Sequence, residues 1–237
     1  IMVWQDFMFA NSMYSNTKEF HENVEAEVVD NVKRLRNHPC IALWCGNNEI
    51  EVAWHNWGWQ KQFGYSEKDS TEIWGNYLSI FHELIPKKLK ELDSTRAYIP
   101  SSPQSNWGTK ENFNHGAMHY WGVWHGKEDL DSFKTNVGRF MVEYGFQSYP
   151  LEDWLEATIE NNINPDDEIF KNRQKSYIGD VLIEKEIQKY FGDLQSFSDW
   201  LWASEFIQSQ ALKIAIQSHR LAAPHCMGTL FLSLIHI

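Results

Sequence analysis

The stretch Asn37-His38-Pro39-Cys40-Ile41-Ala42-Leu43-Trp44-Cys45-Gly46-Asn47-Asn48-Glu49 decides how the chain folds. His38-Pro39 stops a preceding helix, because the residue before a proline is pushed out of the helical region. Ile41 to Cys45 is an unbroken apolar run of strand length, expected for a strand covered on both faces. Glycine, two asparagines and a carboxylate follow at once. The carboxyl end of a buried strand is where α/β proteins gather their ligands.

The neighbours of this strand alternate in kind. Upstream, Phe20, Val24, Val28, Val32 and Leu35 recur at helical spacing, which predicts a helix over residues 18 to 37 with one buried stripe. Asn16-Thr17-Lys18-Glu19 has the shape of a capping box at its start. Downstream, Trp74, Tyr77, Leu78, Phe81, Leu84, Ile85 and Leu92 mark a second helix, kinked or interrupted at Pro86. Further strands are expected at Ala97-Tyr98-Ile99, from His115 to Trp121, and at Phe140-Met141-Val142. Helix should dominate from about 182 to 221, before a fifth apolar run from Met227 to Phe231. Strands alternating with helices give a parallel α/β sheet, since a parallel neighbour requires a crossover. The alternation alone leaves an open sheet and a closed barrel equally possible.

Composition narrows the partners. The 237 residues are 43% hydrophobic and 22% charged, which excludes a disordered chain. No repeat or Gly/Ser linker divides them, so they read as one continuous domain. The net charge of −11 without a basic run argues against nucleic acid and against anionic membrane surfaces as partners. Three cysteines (Cys40, Cys45, Cys226) cannot all pair, which favours a reducing compartment such as the cytoplasm. The opening Ile1-Met2-Val3-Trp4 reads like a chain cut inside a strand, and an excerpt of a longer protein is expected. Neither metal-ligand spacing, nor a glycine-rich phosphate loop, nor a Gly-x-Ser-x-Gly elbow is present, so no metal and no cofactor is expected.

A second segment, Arg139-Phe140-Met141-Val142-Glu143-Tyr144-Gly145, also ends an apolar strand with a carboxylate. Such a group is costly to bury unless it is paired or used. Among 32 acidic residues two carboxylates prove little, so position must carry the reading. Glu49 and Glu143 lie 94 positions apart (143 − 49), and a strand–helix unit takes roughly 30 residues. Three units between them would put both acids on the same rim of an eight-stranded barrel, as a glycosidase requires. The alternative is that each glutamate simply caps a following helix.

These residues resemble a family. Asn37-His38-Pro39 running through a strand to Gly46-Asn47-Asn48-Glu49, with Glu143-Tyr144-Gly145-Phe146-Gln147-Ser148 downstream, is similar to the β-mannosidases of glycoside hydrolase family two. Trp4-Gln5-Asp6-Phe7-Met8-Phe9-Ala10 and His119-Tyr120-Trp121-Gly122-Val123-Trp124-His125-Gly126 match the same family, and the likeness extends from Trp4 to about Leu230. The resemblance implies a partial (β/α)8 TIM barrel covering roughly strands three to eight, over residues 1 to 231. It implies that Glu49, ending strand four, is the general acid/base and that Glu143, ending strand seven, is the nucleophile. A neighbouring charge raises the second carboxyl and divides their labour, and retention calls for carboxyls ~5–5.5 Å apart.

By the same resemblance Asn48 hydrogen-bonds the sugar 2-hydroxyl, and Tyr120 lies near the nucleophile. Strand alternation instead puts His119 and Trp121 on one face and Tyr120 on the other, unless a bulge intervenes, and favours His119 and Trp121 as the pocket residues. Trp4, Trp54, Trp57 and Trp121 are candidates to stack on a pyranose, with Trp4 and Trp57 ahead of Trp54. Trp59, Trp74, Trp107, Trp200 and Trp202 are assigned to packing, and Arg139 to a barrel-end ion pair. The implied activity is that of a retaining exo-β-mannosidase on a β-mannoside oligosaccharide or glycoconjugate, with N-terminal β-sandwich domains as companions. The alternatives are a related family-two β-glycosidase of the β-galactosidase, β-glucuronidase or exo-β-glucosaminidase type, and a non-catalytic carbohydrate-binding relic. Two departures stand out. Residues 232 to 237, Leu-Ser-Leu-Ile-His-Ile, differ from the family's continuation and read as a non-native tail, and Asn11-Ser12-Met13 departs from the usual sequence after Phe-Ala. A barrel short of its first two strands exposes open edges, so the excerpt alone is expected to aggregate and to be nearly inactive.

Overall fold

Val24, Val28 and Val32 stand four apart, the spacing that stacks side chains on one helix face. In the computed structural model, which describes residues 2–158 and 168–230, they form the buried stripe of α1 (Lys18–Leu35). The chain separates into two compact units, one running through Asn106 and one beginning at Trp107.

The first unit is a three-stranded parallel sheet with helical crossovers. Its order is β1 (Val3–Asp6), β2 (Ile41–Cys45), β3 (Ala97–Ile99), with Trp4 opposite Leu43 and Leu43 opposite Ala97. In sequence α1 joins the first pair, and α2 (Ile50–Asn56), α3 (Trp59–Gln62), α4 (Glu67–Leu78) and α5 (Ile85–Leu92) join the second. β2 and β3 fall where the apolar runs predicted them. Ile41, Trp44 and Cys45 are buried, but Ala42 is exposed, so β2 is not covered along its whole length as expected. The valine stripe packs with Ile41, Trp44, Ile80, Phe81, Ile85 and Leu89.

Helix boundaries differ from the sequence expectation in two places, each with a local cause. Thr17, not Asn16, is the N-cap, its hydroxyl accepting from Phe20 N at 3.2 Å; a full capping box occurs instead at Ser66 and Asp69. The helix containing Pro86 is not broken at the proline. It opens into a π-helical segment, Ser79–Leu84, and Pro86 enters the first turn of α5, where its missing N–H is tolerated. At the amino end of the sheet, Asp93 accepts from Trp44 Nε1 at 2.9 Å and from Arg96 at 2.7 Å. Burial would raise its carboxyl, but the bonds from Trp44, Arg96 and Thr95 outweigh it and hold the group below the usual carboxylate range. A short strand, β4 (Ser105–Asn106), ends this unit.

The second unit pairs β5 (Ala117–His119) with β6 (Phe140–Glu143) in parallel. Met227 to Leu230 continues the pairing on β6: Met227 N reaches Arg139 O, Met141 N reaches Gly228 O, and Leu230 N reaches Met141 O at 2.8–3.0 Å. The apolar run at 227–230 therefore does lie beside β6, while Phe231 and the tail at 232–237 fall outside the described residues. Around these strands lie α6 (Glu152–Thr158), α7 (Glu168–Lys171), α8 (Gly179–Phe191) and α9 (Phe197–Leu221). Leu201, Ile207, Ala211 and Ala215 of α9 pack with Met118, Phe133, Met141 and Phe146.

One expectation is corrected here. The strand predicted from His115 to Trp121 is only Ala117–His119, because Gly116 enters with φ 44° and the chain turns from Gly122 onward. Helix does dominate from about 182 to 221, as two helices separated at Gly192, whose φ of 68° suits glycine and ends α8. Among the described residues no helix is long and apolar enough to cross a membrane.

Candidate active site

Each of the two glutamates has its own seat, and the seats are built differently. Glu49 stands one residue past the first sheet. Asn48 is bridged in parallel to Ala10 on one side and Ser102 on the other, its N–H donating to Phe9 O at 2.8 Å. Glu49 N then donates to Ser102 O at 2.6 Å, and the residue adopts the left-handed conformation (φ 62°, ψ 6°) at the N-cap position of α2. Its carboxylate makes no capping bond to that helix. The reading of Glu49 as a mere helix cap is therefore wrong, although the backbone does start a helix there. A left-handed glutamate is strained, and such strain persists only where surrounding bonds over-determine it.

Those bonds converge on Asn47, which is fully buried. Its Nδ2 donates to Tyr77 Oη at 3.0 Å and to Pro100 O at 2.8 Å. Its Oδ1 accepts from Ile50 N at 3.2 Å and from Ser101 Oγ at 2.7 Å. Gly46, just before it, lets β2 and the end of β3 approach, since a Cβ there would lie 2.3 Å from Pro100 O. Tyr77 Oη donates in turn to Glu51 Oε1 at 3.0 Å, and His82 Nε2 meets the same oxygen at 2.7 Å. Burial first, and then the Glu51 charge, push the Tyr77 phenol well above its usual range, so it stays protonated. Burial likewise raises the Cys45 thiol, with the Asp6 charge adding to the effect, which leaves that cysteine inert.

Glu143 is the last residue of β6, and a register shift between Met118 and His119 decides its neighbour. Without the shift His119 would fall opposite Val142; with it, His119 pairs with Glu143. The His119 ring is buried, and its Nδ1 lies 3.4 Å from Glu143 Oε2, whose side chain is 21% exposed. Tyr144 follows into the core, its hydroxyl 2.6 Å from Thr229 Oγ1, which is also 2.9 Å from His219 Nδ1. Burial lowers the His219 imidazole to about 4, so it is neutral at physiological pH.

The remaining sequence candidates divide. Tyr120 supplies a backbone N–H to Glu143 O at 2.8 Å, but its side chain is buried, with the hydroxyl donating to Glu128 Oε2 at 2.5 Å and accepting from Asn136 Nδ2 at 2.7 Å. Gly122 faces that ring closely enough that a Cβ would come within 2.5 Å of it. Trp121 is 8% exposed and meets His125 edge-on, in the core of its unit. Trp54 is stacked on Trp74 at 5.6 Å, and Trp4 is half-buried with its Nε1 donating to Asp6 Oδ1 at 2.8 Å. Trp57 is 44% exposed and offers a ring face. Trp202, assigned to packing, is instead exposed and stacked on Phe206. Sequence reasoning gave no role to Asn47, Tyr77, Glu51 or Thr229. Asn47 had a signal, an amide at the end of a buried strand that must find partners; Tyr77 looked like one more apolar helix position.

No protein-family profile matches the chain. A protein named Beta-mannosidase B from Neosartorya fischeri is 35% identical over 68% of this chain and 19% of its own length. Its namesake from Emericella nidulans is 29% identical over 97% of this chain and 28% of its own length. The crystal structure of a β-D-mannosidase from Dictyoglomus thermophilum superposes on 98% of this chain and 27% of its own, with TM-score 0.82 and 34% identity. A Bacteroides uniformis β-glucuronidase covers 98% of this chain with TM-score 0.55 at 17% identity, a likeness of fold alone. The chain thus spans between a fifth and just over a quarter of the length of these mannosidases.

Proposed function

We infer that this chain, a homologue of β-mannosidases along nearly its whole length, carries the catalytic machinery of a retaining exo-β-mannosidase. The observation that supports this most strongly is the match to mannosidases in both sequence and shape across 97–98% of the chain. The fold we propose for it is part of a (β/α)8 barrel, roughly strands three to eight over residues 1 to 231, accompanied in the full-length protein by β-sandwich domains. The substrate is a terminal, non-reducing β-D-mannose.

The residues divide the chemistry as follows. Glu143, ionised, attacks the anomeric carbon as the glycosidic C–O bond breaks, and Glu49 gives its proton to the departing oxygen. Glu49 then takes a proton from water, whose oxygen attacks the same carbon and releases Glu143. His119 beside Glu143 orients the attacking carboxylate. Asn48 serves the 2-hydroxyl, whose hydrogen bonds strengthen in the transition state. Trp57 and Trp4 offer aromatic faces to the pyranose.

The test is mechanism-based trapping of the full-length protein with 2-deoxy-2-fluoro-β-D-mannosyl fluoride, followed by peptide mapping. One label per chain on the peptide containing Glu143 is expected; turnover without a label, or a label elsewhere, overturns the assignment. Aryl β-mannoside, glucoside, galactoside and glucuronide in parallel fix the sugar, because the axial 2-hydroxyl separates mannose from the others.

A further inference from the structure

We propose that Asn47 is a positioning residue for the acid/base Glu49, and that the Tyr77–Glu51–His82 chain fixes the direction of its grip; this rests on the reading of Glu49 given above. An amide has two N–H donors and one oxygen with two acceptor sites. Asn47 uses all of them, on four partners from three places: Tyr77 in α4, Pro100 and Ser101 beyond β3, and Ile50 in the first turn of α2. Glu49 lies between the residue that holds the amide and the residue whose N–H the amide holds. Its left-handed turn is thereby closed from both sides.

The direction of the amide is not arbitrary. Glu51, when ionised, only accepts, so the Tyr77 O–H must point at it and the phenol oxygen must accept from Asn47. A flipped amide would set its oxygen against Pro100 O and its N–H groups against Ile50 N. His82, within the π-helical segment Ser79–Leu84, presses on the same Glu51 oxygen and holds that carboxylate in place. Glu51 is part-buried and His82 exposed, so this far end of the chain meets solvent while Asn47 does not.

The role is read by leaving-group dependence. An acid that is out of place slows only those substrates whose departing oxygen needs its proton. In the full-length protein, kcat/KM is measured on aryl β-mannosides from dinitrophenyl to methoxyphenyl for Tyr77→Phe, Asn47→Asp and Glu49→Ala, with melting curves as a check on folding. Tyr77→Phe keeps the ring, which stacks on Trp74, and removes only the hydroxyl. It should lose about tenfold or more on the methoxyphenyl glycoside, and Asn47→Asp about a hundredfold, the scale of a displacement near 1 Å. Both should lose less than about threefold on the dinitrophenyl glycoside. Equal losses on all substrates, or no loss, overturn the positioning role. Should Glu49→Ala itself be independent of the leaving group, the acid/base reading falls and the positioning role falls with it. Graded losses for Glu49→Ala beside flat ones for the other two overturn the positioning role alone.

Discussion

Glu49 and Glu143 are both carboxylates at strand ends, yet one is held by a turn and the other by a ladder. Glu143 ends β6 just past a register shift in the ladder, with a buried imidazole opposite it. Glu49 lies beyond β2 in a left-handed conformation, secured by backbone bonds and by a saturated amide next to it. Ladder pairing fixes an attacking group in one direction at little conformational cost. A turn allows the side chain to leave the sheet's alternation altogether, and the strain is offset by polar partners that must all be present. Damage to a partner should therefore be felt more sharply at Glu49 than at Glu143.

The largest effect is expected at the ladder. On the mechanism proposed above, Glu143→Gln should reduce kcat on any aryl β-mannoside by roughly 10⁴-fold or more, because the attacking carboxylate is gone. Turnover within tenfold of the parent would break the comparison at its root. Glu49→Ala should cost about 10²–10⁴-fold on poor leaving groups. The turn also makes a stability prediction that the ladder does not. Glu49→Gly should unfold at higher denaturant than Glu49→Ala, by about 1–2 kcal/mol, since glycine alone adopts this conformation without a Cβ clash. Equal stability for the two would mean that the left-handed turn stores nothing.

The two seats also differ in their response to acid. Behind Glu143, His219 is kept neutral by burial, with its pKa near 4 instead of 6.5. The unfolded chain therefore binds more protons between those values, and stability must fall as the pH drops from about 6.5 to about 4, being intact above that window. The shift corresponds to about 3 kcal/mol. His219→Gln can still bond Thr229 but does not titrate, so its melting temperature should lose less between pH 7 and pH 4.5 than the parent's. Parallel slopes would show that the imidazole does not sense pH. At the amino end of the first sheet Asp93 acts at lower pH. Its depressed carboxyl adds stability above the usual aspartate range that is lost only as pH falls through its own lower value.

How far all this was legible depends on whether periodicity or geometry decides. Ile41–Cys45 and Ala97–Ile99 were readable because a continuous apolar run between polar breaks has few other solutions. The valine stripe of α1 was readable because its period is helical. Glu143 stood out because a charge directly after an apolar strand needs a reason, and Glu49 because it closes a polar run at the carboxyl end of a buried strand. The bulge between Met118 and His119 was not legible, and it alone decides whether His119 or Tyr120 serves Glu143 by side chain. One inserted residue in a ladder leaves no compositional trace. The Asn47 network escaped for a related reason. Its partners at 77, 100 and 101 are distant in sequence, and each looks ordinary alone.

The tryptophans give the smallest test and the one most easily misjudged. Trp54 and Trp57 stand three residues apart in the same short helical turn, yet Trp54 is 5% exposed against Trp74 and Trp57 is 44% exposed with only an edge contact to Trp59. Composition treats the two alike, and an exposed tryptophan face is apolar surface that a pyranose can cover. Trp57→Ala should leave the melting temperature within about 1 °C, because a surface substitution removes little packing. KM for the mannoside should rise roughly fivefold with kcat less changed, corresponding to about 1 kcal/mol of uniform binding. An unchanged KM would take Trp57 out of the substrate's path, leaving the half-buried Trp4 as the remaining stacking candidate.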